Sequence, residues 1–222
     1  MATAPYSVLV ATKKRGEDDA VRKAIRHCEA NFESVTVSRG KWGDPLPPEI
    51  QGFEGDILIS YMSRWIIPDY VLNNVKIAAL NFHPAPPEYP GIGCTNFALY
   101  ENAEEFGVTC HHMKPKVDTG QIVRVDRFPI YEPDTIETLM ARCYDTMLVQ
   151  FYSVVDLLIA GKPLPESDEQ WTREPFTRKD LDELTLITPD MAPEEITKRI
   201  RATSYQGWKP EIKVGEHRFK LI

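Results

Sequence analysis

Two polar side chains that could do chemistry, Asn81 and His83, follow an apolar run that begins at Val75. Because successive side chains of a strand point to opposite faces, residues two apart can point to the same face of a sheet. Four prolines lie between His83 and Gly91, and they exclude a helix and favour a rigid, irregular loop. A strand end held by a stiff loop is a common place for the active site of an α/β protein. An ordinary turn, in which His83 only caps the strand, explains this stretch about equally well.

A carboxylate can join these groups from the turn Asp118-Thr119-Gly120, which follows a strand predicted over 107–113. We expect this turn to face Asn81 and His83, because all of them follow strands of one proposed sheet. An amide, an imidazole and a carboxylate together suit the attack of a nucleophile on a carbonyl-type carbon. The amide and the protonated imidazole can donate hydrogen bonds to the developing oxyanion, and the carboxylate can orient the imidazole and move protons through a water. No activated serine or cysteine is needed if the substrate brings its own nucleophile.

The elements that must position these groups begin with a strand over 6–12, a helix over 17–31 and an alternating strand over 34–38. A β-α-β start predicts a parallel sheet with a right-handed crossover, so the predicted fold class is α/β with a mostly parallel sheet. The connection after the first strand contains a single glycine, Gly16. A phosphate-binding turn needs several glycines, so no nucleotide site is expected there, and the basic residues 13–15 are interpreted as a solvated charged loop.

The middle of the chain predicts more strands and helices. We expect strands over 56–61, 107–113 and 121–130, and helices over 68–72, 95–104 and 134–160. Asp134 and Glu137 have the spacing of a capping box at the start of the longest helix. The apolar residues of that helix recur every three or four positions, which predicts core packing.

The C-terminal part has a different texture, polar and mixed, from residue 163 onward. A helix is predicted to begin at Pro193, and a hairpin around Gly215 is predicted to close the chain. We therefore expect a catalytic domain over 1–163 and a C-terminal extension over 164–222 that supplies substrate or dimer contacts.

Composition limits the classes of function that fit. The 222 residues are 42% hydrophobic and 27% charged, with a formal net charge of −7, which is typical of a globular protein with one good core. The negative charge disfavours a general nucleic-acid or anionic-membrane surface. Neither a signal peptide nor a transmembrane segment is predicted. The four cysteines are scattered, so we expect reduced core thiols and a cytoplasmic location.

A zinc site is the competing chemical interpretation of this composition. Its candidate ligands would be His83, Cys94, Cys110, His111 and His112. Adjacent residues of a strand point to opposite faces, so the two neighbouring histidines cannot both face one ion. No spacing among the five matches a known ligand pattern, and no metal is expected.

The order of these motifs resembles the folate-dependent formyltransferase family. The motifs are N-x-H-P at 81–84, a proline-rich loop that ends at Gly91, G-V-T-x-H-x-M at 107–113 and D-T-G at 118–120. The likeness covers roughly residues 6–160. It implies a Rossmann-like formyltransferase core that uses 10-formyltetrahydrofolate.

The resemblance also implies roles for single residues. Asn81, His83 and Asp118 would be catalytic: an amine attacks the formyl carbon, the first two stabilise the tetrahedral intermediate, and the third supports the imidazole and assists proton removal. A pterin pocket lined largely by backbone would lie along two segments. Its implied residues are Met62, Ser63, Arg64 and Ile66 in one segment and Met113, Lys114, Pro115 and Val117 in the other.

The loop from His83 to Gly91 departs from the family pattern H-P-S-L-L-P-x-Y-R-G. It is one residue shorter and lacks both leucines and the arginine, so the acceptor preference cannot be carried over from that loop. Among members of the family, those acting on glycinamide ribonucleotide carry a Gly-rich turn after the first strand, which is absent here. Those acting on methionyl-tRNA add a larger basic C-terminal domain, which neither the shorter tail nor the acidic charge of this chain matches.

The remaining members of the family, the amino-sugar N-formyltransferases, act on nucleotide-linked aminodeoxysugars, which are precursors of O-antigen or other surface polysaccharides. These enzymes often form dimers. Hydroxyornithine is the main rival acceptor, and a catalytically inactive folate or nucleotide-sugar binding protein is the alternative of another class. Residues that could contact the acceptor are Glu88, Tyr89, Gly91, Tyr205 and Trp208, with Arg199 or Arg201 near a diphosphate. A structural interpretation of the last four, with the tail packed on the core and the arginines solvated, is favoured about two to one.

Overall fold

The computed structural model describes residues 3–14, 19–206 and 209–220. In this part of the chain the main sheet has six strands in the order β2-β1-β3-β4-β5-β6. They are β1 Ala4–Lys13, β2 Phe32–Gly40, β3 Ile57–Tyr61, β4 Ala78–His83, β5 Glu105–His112 and β6 Ile122–Pro129. The first four strands in this order pair in parallel, and β5 and β6 are antiparallel. The predicted α/β class with a mostly parallel sheet is confirmed.

Helices cover both faces of the sheet. They are α1 Asp19–Asn31, α2 Pro48–Gln51, α3 Asp69–Leu72, α4 Cys94–Tyr100 and α5 Ile136–Ile159. The apolar faces of α1 and α5 pack on one side in the larger core cluster. The short helices α2 and α3 pack on the other side, in a smaller cluster with Leu9, Leu58 and Ala79. All four cysteines are buried free thiols, as expected.

The start of α5 differs by one residue from the predicted cap. Thr135, and not Asp134, is the N-cap, and Thr138 takes the reciprocal position that was predicted for Glu137. Asp134 instead accepts a hydrogen bond from the backbone N–H of Tyr131 at 2.7 Å and pairs with the Arg142 guanidinium at 2.9 Å. The prediction was wrong because the Asp134 carboxylate bonds to Tyr131 and Arg142 and so is not turned toward the N–H groups of the first helical turn.

The C-terminal extension contains more regular structure than predicted. It holds α6 Arg178–Leu184, β7 Leu186–Ile187, α7 Pro193–Thr203, β8 Glu211–Val214 and β9 His217–Lys220. The last two strands form the predicted hairpin, and β7 joins β8 in parallel to complete a second sheet. A capping box at Thr177 and Asp180 starts α6, a helix too short and polar to show periodicity. No helix within the described ranges is both long and apolar enough to cross a bilayer.

Candidate active site

Three polar side chains converge on one face of the main sheet. Asn81 and His83 lie within β4, and the antiparallel pairing of β4 with β5 places His111 directly opposite Asn81. Ala79, two residues earlier in β4, belongs to the smaller core cluster on the α2 and α3 side. By strand alternation the amide and the imidazoles therefore lie on the sheet face opposite α1 and α5.

The Asp118 carboxylate reaches this face from the loop that follows β5. Its Oδ2 atom lies 3.3 Å from Nδ1 of His83, and its Oδ1 atom lies 3.2 Å from Nε2 of His111. The backbone N–H of Gly91 donates to Oδ2 at 2.8 Å. The Asn81 amide nitrogen lies 3.4 Å from Oδ1 and 3.1 Å from Nε2 of His111. The structure therefore brings together the three predicted groups and adds a second imidazole.

Hydrogen bonds to backbone carbonyls fix how each imidazole presents its nitrogens. Nε2 of His83 lies 2.9 Å from the carbonyl oxygen of Tyr89, so this nitrogen carries a proton and donates it. Nδ1 of His111 donates in the same way to the carbonyl oxygen of His112 at 2.9 Å. The remaining nitrogens, Nδ1 of His83 and Nε2 of His111, face the Asp118 carboxylate.

Two opposing effects set the acidity of Asp118. The residue is only 4% exposed, and burial by itself would raise the pKa of its carboxyl. The charge of His83 and the hydrogen bond and charge of His111 outweigh burial and hold the pKa at about 2. The carboxylate is consequently ionised at neutral pH, where it can accept a proton from an incoming group.

Acid titration should reveal this buried carboxylate. A folded-state pKa below the ordinary 3.8 stabilises the fold above pH 3.8, and this contribution is lost as the pH falls toward 2. We expect Asp118→Asn to lower the free energy of unfolding by about 2 kcal/mol at about pH 5, and the difference from the unchanged protein to shrink below about pH 4. Urea unfolding at several pH values measures it, with the exposed Asp182→Asn as a control near zero. A difference that stays constant down to about pH 2 would contradict the assignment.

Trp171, a residue with no predicted role, packs over the two imidazoles. Its ring lies edge-on to both imidazoles, with centroid distances of 5.8 Å to His83 and 5.0 Å to His111. Its Nε1–H donates to the carbonyl oxygen of Gly120 at 2.9 Å. In sequence Trp171 was only an isolated aromatic in a polar stretch, and no local signal connected it with residue 83 or 111. His111 did carry a signal, because it is the histidine of the 107–113 motif.

The predicted acceptor contacts in the proline-rich loop have mostly supporting positions. Tyr89 is buried, and its hydroxyl donates to Glu101 at 3.0 Å while its carbonyl holds His83. Gly91 has a φ of +90° and holds Asp118 through its N–H. Glu88 pairs with Arg127 at 2.9 Å, and its side chain is 36% exposed. Of the three, only the Glu88 side chain is accessible to a ligand.

A cavity of about 300 Å³ lies on the same sheet face, beside α3. Its lining residues are Asp69, Leu72, Asn73, Val75, Ile77, Ala78, Ala79, His112, Met113, Lys114 and Pro115. Three of the predicted cofactor residues, Met113 to Pro115, therefore line it. The others do not: Met62, Ser63, Arg64 and Ile66 follow β3, and Val117 is 38% exposed. The register of β3 with β4 explains the separation: Tyr61, the last residue of β3, pairs with Phe82, whereas the cavity lies beside Ala78 and Ala79 at the start of β4.

The C-terminal residues considered for a nucleotide have structural partners. Arg199 pairs with Glu195 at 2.6 Å and donates to backbone carbonyls of α6 and β7. Arg201 donates to the carbonyl oxygen of Glu132 at 3.2 Å. Tyr205 packs against the main core. Trp208 lies outside the described residues. The tail thus packs on the core through Tyr205, but the two arginines are bonded to protein groups and are not simply solvated, as the structural interpretation had it.

The thiol nearest the site is in its neutral form. Sγ of Cys94 lies 3.8 Å from Nε2 of His83 and donates to the carbonyl oxygen of Gly91. Burial raises the pKa of this thiol well above its ordinary value, so it is neither a ready metal ligand nor a nucleophile. Over the ranges that the structure describes, no group of three or more His, Cys, Asp or Glu side chains could hold a metal ion.

This cluster of side chains can therefore polarise a carbonyl group and move protons. The amide of Asn81 can donate to an oxygen that gains negative charge, and a proton on Nδ1 of His83 can be shared between that oxygen and Asp118. Asp118 is held ionised beside them and can take a proton from an attacking nucleophile. No side chain in the cluster is itself an activated nucleophile, so the substrate must supply one.

Comparisons with known proteins agree with this geometry. A family model described as formyl transferase matches residues 8–155. The methionyl-tRNA formyltransferase of Geobacillus thermodenitrificans is 26% identical over 174 residues, which cover 72% of this chain and 54% of that protein. A sugar N-formyltransferase structure from a Shewanella species has a TM-score of 0.76 at 18% identity, over 97% of this chain and 96% of that one. An N-formyltransferase from Helicobacter canadensis, solved with folinic acid and dTDP-3-aminofucose, has a TM-score of 0.71 at 18% identity, over 95% and 84%.

These matches differ in what they establish. The family model spans about two thirds of the chain and contains Asn81, His83, His111 and Asp118. The structural matches, at low identity, establish the fold. The chain spans 19% to 56% of the length of the first three curated relatives that it matches.

Proposed function

This chain belongs to the formyl transferase family, and we propose that it transfers a formyl group from 10-formyltetrahydrofolate to the amine of a nucleotide-linked aminodeoxysugar. The observation that carries the proposal is the buried cluster of Asn81, His83 and Asp118 within the matched region. The carboxylate lies 3.3 Å from Nδ1 of His83, which keeps the imidazole oriented by two partners, one on each nitrogen. Such an arrangement suits acyl transfer to an amine.

Each residue has a distinct role in this proposal. The amine nitrogen attacks the formyl carbon, and negative charge develops on the formyl oxygen. Asn81 donates a hydrogen bond to that oxygen, and the Nδ1–H of His83, which also faces Asp118, is shared with it. Asp118 accepts the proton that the attacking amine releases, and the bond between the formyl carbon and N10 of the folate then breaks.

The cavity beside α3 fits the folate. It lies two residues along β4 from the catalytic face, because Ala79 lines it and Asn81 follows on the same side. Its volume of about 300 Å³ is at the lower end for a small-molecule site, which suits a flat bicyclic ring. Backbone groups of Met113 to Pro115 would hold the pterin ring there. The segment 62–67 and Val117 would contact the outer part of the folate.

Two observations favour a nucleotide-linked aminodeoxysugar as the acceptor: the matched structures and the net charge of the chain. The Shewanella protein is named as a sugar N-formyltransferase, and the Helicobacter structure holds dTDP-3-aminofucose. A net charge of −7 disfavours tRNA as the acceptor. The Glu88 carboxylate, partly exposed within the proline-rich loop, would contact the amino sugar. Hydroxyornithine and methionyl-tRNA are the alternative acceptors.

The C-terminal extension, residues 164–222, would support an assembly as well as the site. All four residues of β9 are exposed at the edge of the second sheet, and Phe219 is 56% exposed. An exposed apolar edge strand is a natural place for pairing with another chain. We infer a homodimer formed through this edge. The product would enter a surface polysaccharide, and the reaction would take place in the cytoplasm.

A direct assay tests the function. Tetrahydrofolate formation from 10-formyltetrahydrofolate would be followed with dTDP-, GDP- and UDP-linked aminodeoxysugars, hydroxyornithine, glycinamide ribonucleotide and methionyl-tRNA, with His83→Ala as the inactive control. We expect turnover with one nucleotide sugar. Turnover only with hydroxyornithine or methionyl-tRNA would overturn the acceptor class and keep the mechanism. Folate binding without turnover on any acceptor would favour an inactive binding protein.

A further inference from the structure

The indole ring of Trp171 packs over the catalytic cluster. It contacts both imidazoles and is itself half-buried, while His83, His111 and Asp118 are 4%, 2% and 4% exposed. Its Nε1–H bonds to the carbonyl oxygen of Gly120, two residues after Asp118. The indole is therefore tied to the same turn that carries the carboxylate.

The segment that carries Trp171, residues 164–176, crosses the site as a strap without helix or strand before Phe176. Backbone hydrogen bonds anchor it near each end: Ser167 donates to Ile122, and Phe176 donates to Pro90. Between these anchors the strap is held by a long backbone hydrogen bond, from Thr172 to Pro87 at 3.4 Å, and by solvent-accessible ion pairs: Arg127 with Glu169, Arg173 with Glu101, and Lys116 with Glu174. Exposed pairs of this kind contribute little each. The centre of the strap can thus move away without disturbing the main sheet.

The strap and the folate cavity occupy different sides of the cluster. The cavity is bounded by α3 and by residues 112–115, and no strap residue lines it. The strap is anchored instead on β6 and on the proline-rich loop. An acceptor that reaches the formyl group from the side away from the folate must therefore pass the position of Trp171.

We propose that Trp171 closes the acceptor side of the catalytic cluster, excludes water while no acceptor is bound, and is displaced by the acceptor. The proposal rests on the proposed formyl transfer. Asp118 and His83 would activate a water molecule as readily as an amine, so exclusion of water protects the donor. In the unwanted reaction the water oxygen bonds to the formyl carbon, the bond from that carbon to N10 breaks, and a water proton moves to N10. The products are tetrahydrofolate and formic acid, which releases the second water proton to solvent as it ionises to formate.

Formate release without any acceptor tests the exclusion of water. We expect Trp171→Ala to release formate from 10-formyltetrahydrofolate at least about tenfold faster than the unchanged protein, with folate affinity within about threefold. Trp171→Phe keeps an aromatic ring over the imidazoles and should stay within about threefold of the unchanged rate. Phe128→Ala is the matched control, because it removes a half-buried ring from the opposite face of the sheet. Equal rates in Trp171→Ala and Phe128→Ala would overturn the proposal.

A second readout does not depend on the reaction. The C2 hydrogens of histidine rings exchange with deuterated solvent at a rate that follows solvent access, and mass spectrometry resolves them by residue. In Trp171→Ala the exchange at His83 and His111 should be at least about fivefold faster than in the unchanged protein. Exchange at His27, which pairs with Asp156 in the helical layer on the other face of the sheet, should not change. Unchanged exchange at His83 and His111 would overturn the cover itself. If the protein bound no folate, the proposed function would fail, and the exchange would still decide whether Trp171 is a cover.

Discussion

Formyl transfer by His83→Ala should be about a thousandfold slower in kcat than transfer by the unchanged protein, because a donor to the developing oxyanion is lost. Folate affinity should change little, since the cavity beside α3 does not include His83. Single-turnover measurements with saturating donor and acceptor would separate the chemical step from binding.

Substitutions of Asn81 and Asp118, the other two catalytic candidates, should also lower kcat. Asn81→Ala removes the second oxyanion donor, and Asp118→Ala removes the proton acceptor, so each should lower kcat by about a hundredfold or more. Because the three side chains act as one unit, a double variant should be scarcely slower than the worse single one. His27→Ala is the matched control and should keep full activity, because His27 pairs with Asp156 on the opposite helical layer. Full activity in any two of the three catalytic variants would overturn the assignment.

Gly91→Ala should abolish most of the activity through the backbone alone. Gly91 has a φ of +90°, and a Cβ atom there would lie 2.3 Å from the carbonyl oxygen of Phe176. The left-handed conformation costs an alanine about 1–2 kcal/mol, and the clash must in addition displace either the loop or the strap. Displacement of the loop would break the hydrogen bond from the Gly91 N–H to Asp118. We expect a loss of about 3 kcal/mol or more in the free energy of unfolding, and at least about a hundredfold in kcat.

Gly43→Ala separates the two causes of the stability loss, the left-handed backbone conformation and the clash with Phe176. Gly43 has nearly the same φ, +86°, but nothing lies within 4 Å of a Cβ atom there. It should lose only about 1–2 kcal/mol of stability and no activity. Urea unfolding and kcat measured on both variants make the comparison. Equal stability losses in the two variants would show that contact with Phe176 is unimportant.

Much of the fold was predictable because it depends on local patterns. The alternating and apolar runs predicted the strands of the main sheet, and the apolar stripe of 134–160 predicted the long helix. The predicted parallel start and the closing hairpin are confirmed. The missed elements, α2, α6 and β7, have four, seven and two residues. Elements this short show no period, and β7 exists only because β8 pairs with it.

The site was predictable in its chemistry but not in its arrangement. By itself the sequence determined the amide, the imidazole and the carboxylate, and the order of motifs that the family shares. Only the tertiary structure decided that His111 faces Asn81 across two antiparallel strands, that Gly91 holds Asp118, and that Trp171 covers the imidazoles. These contacts join residues 27 to 88 positions apart in the chain. The reason is physical: a side chain's type is local, whereas its partners are chosen by strand register and by loops that pack together only in the folded chain.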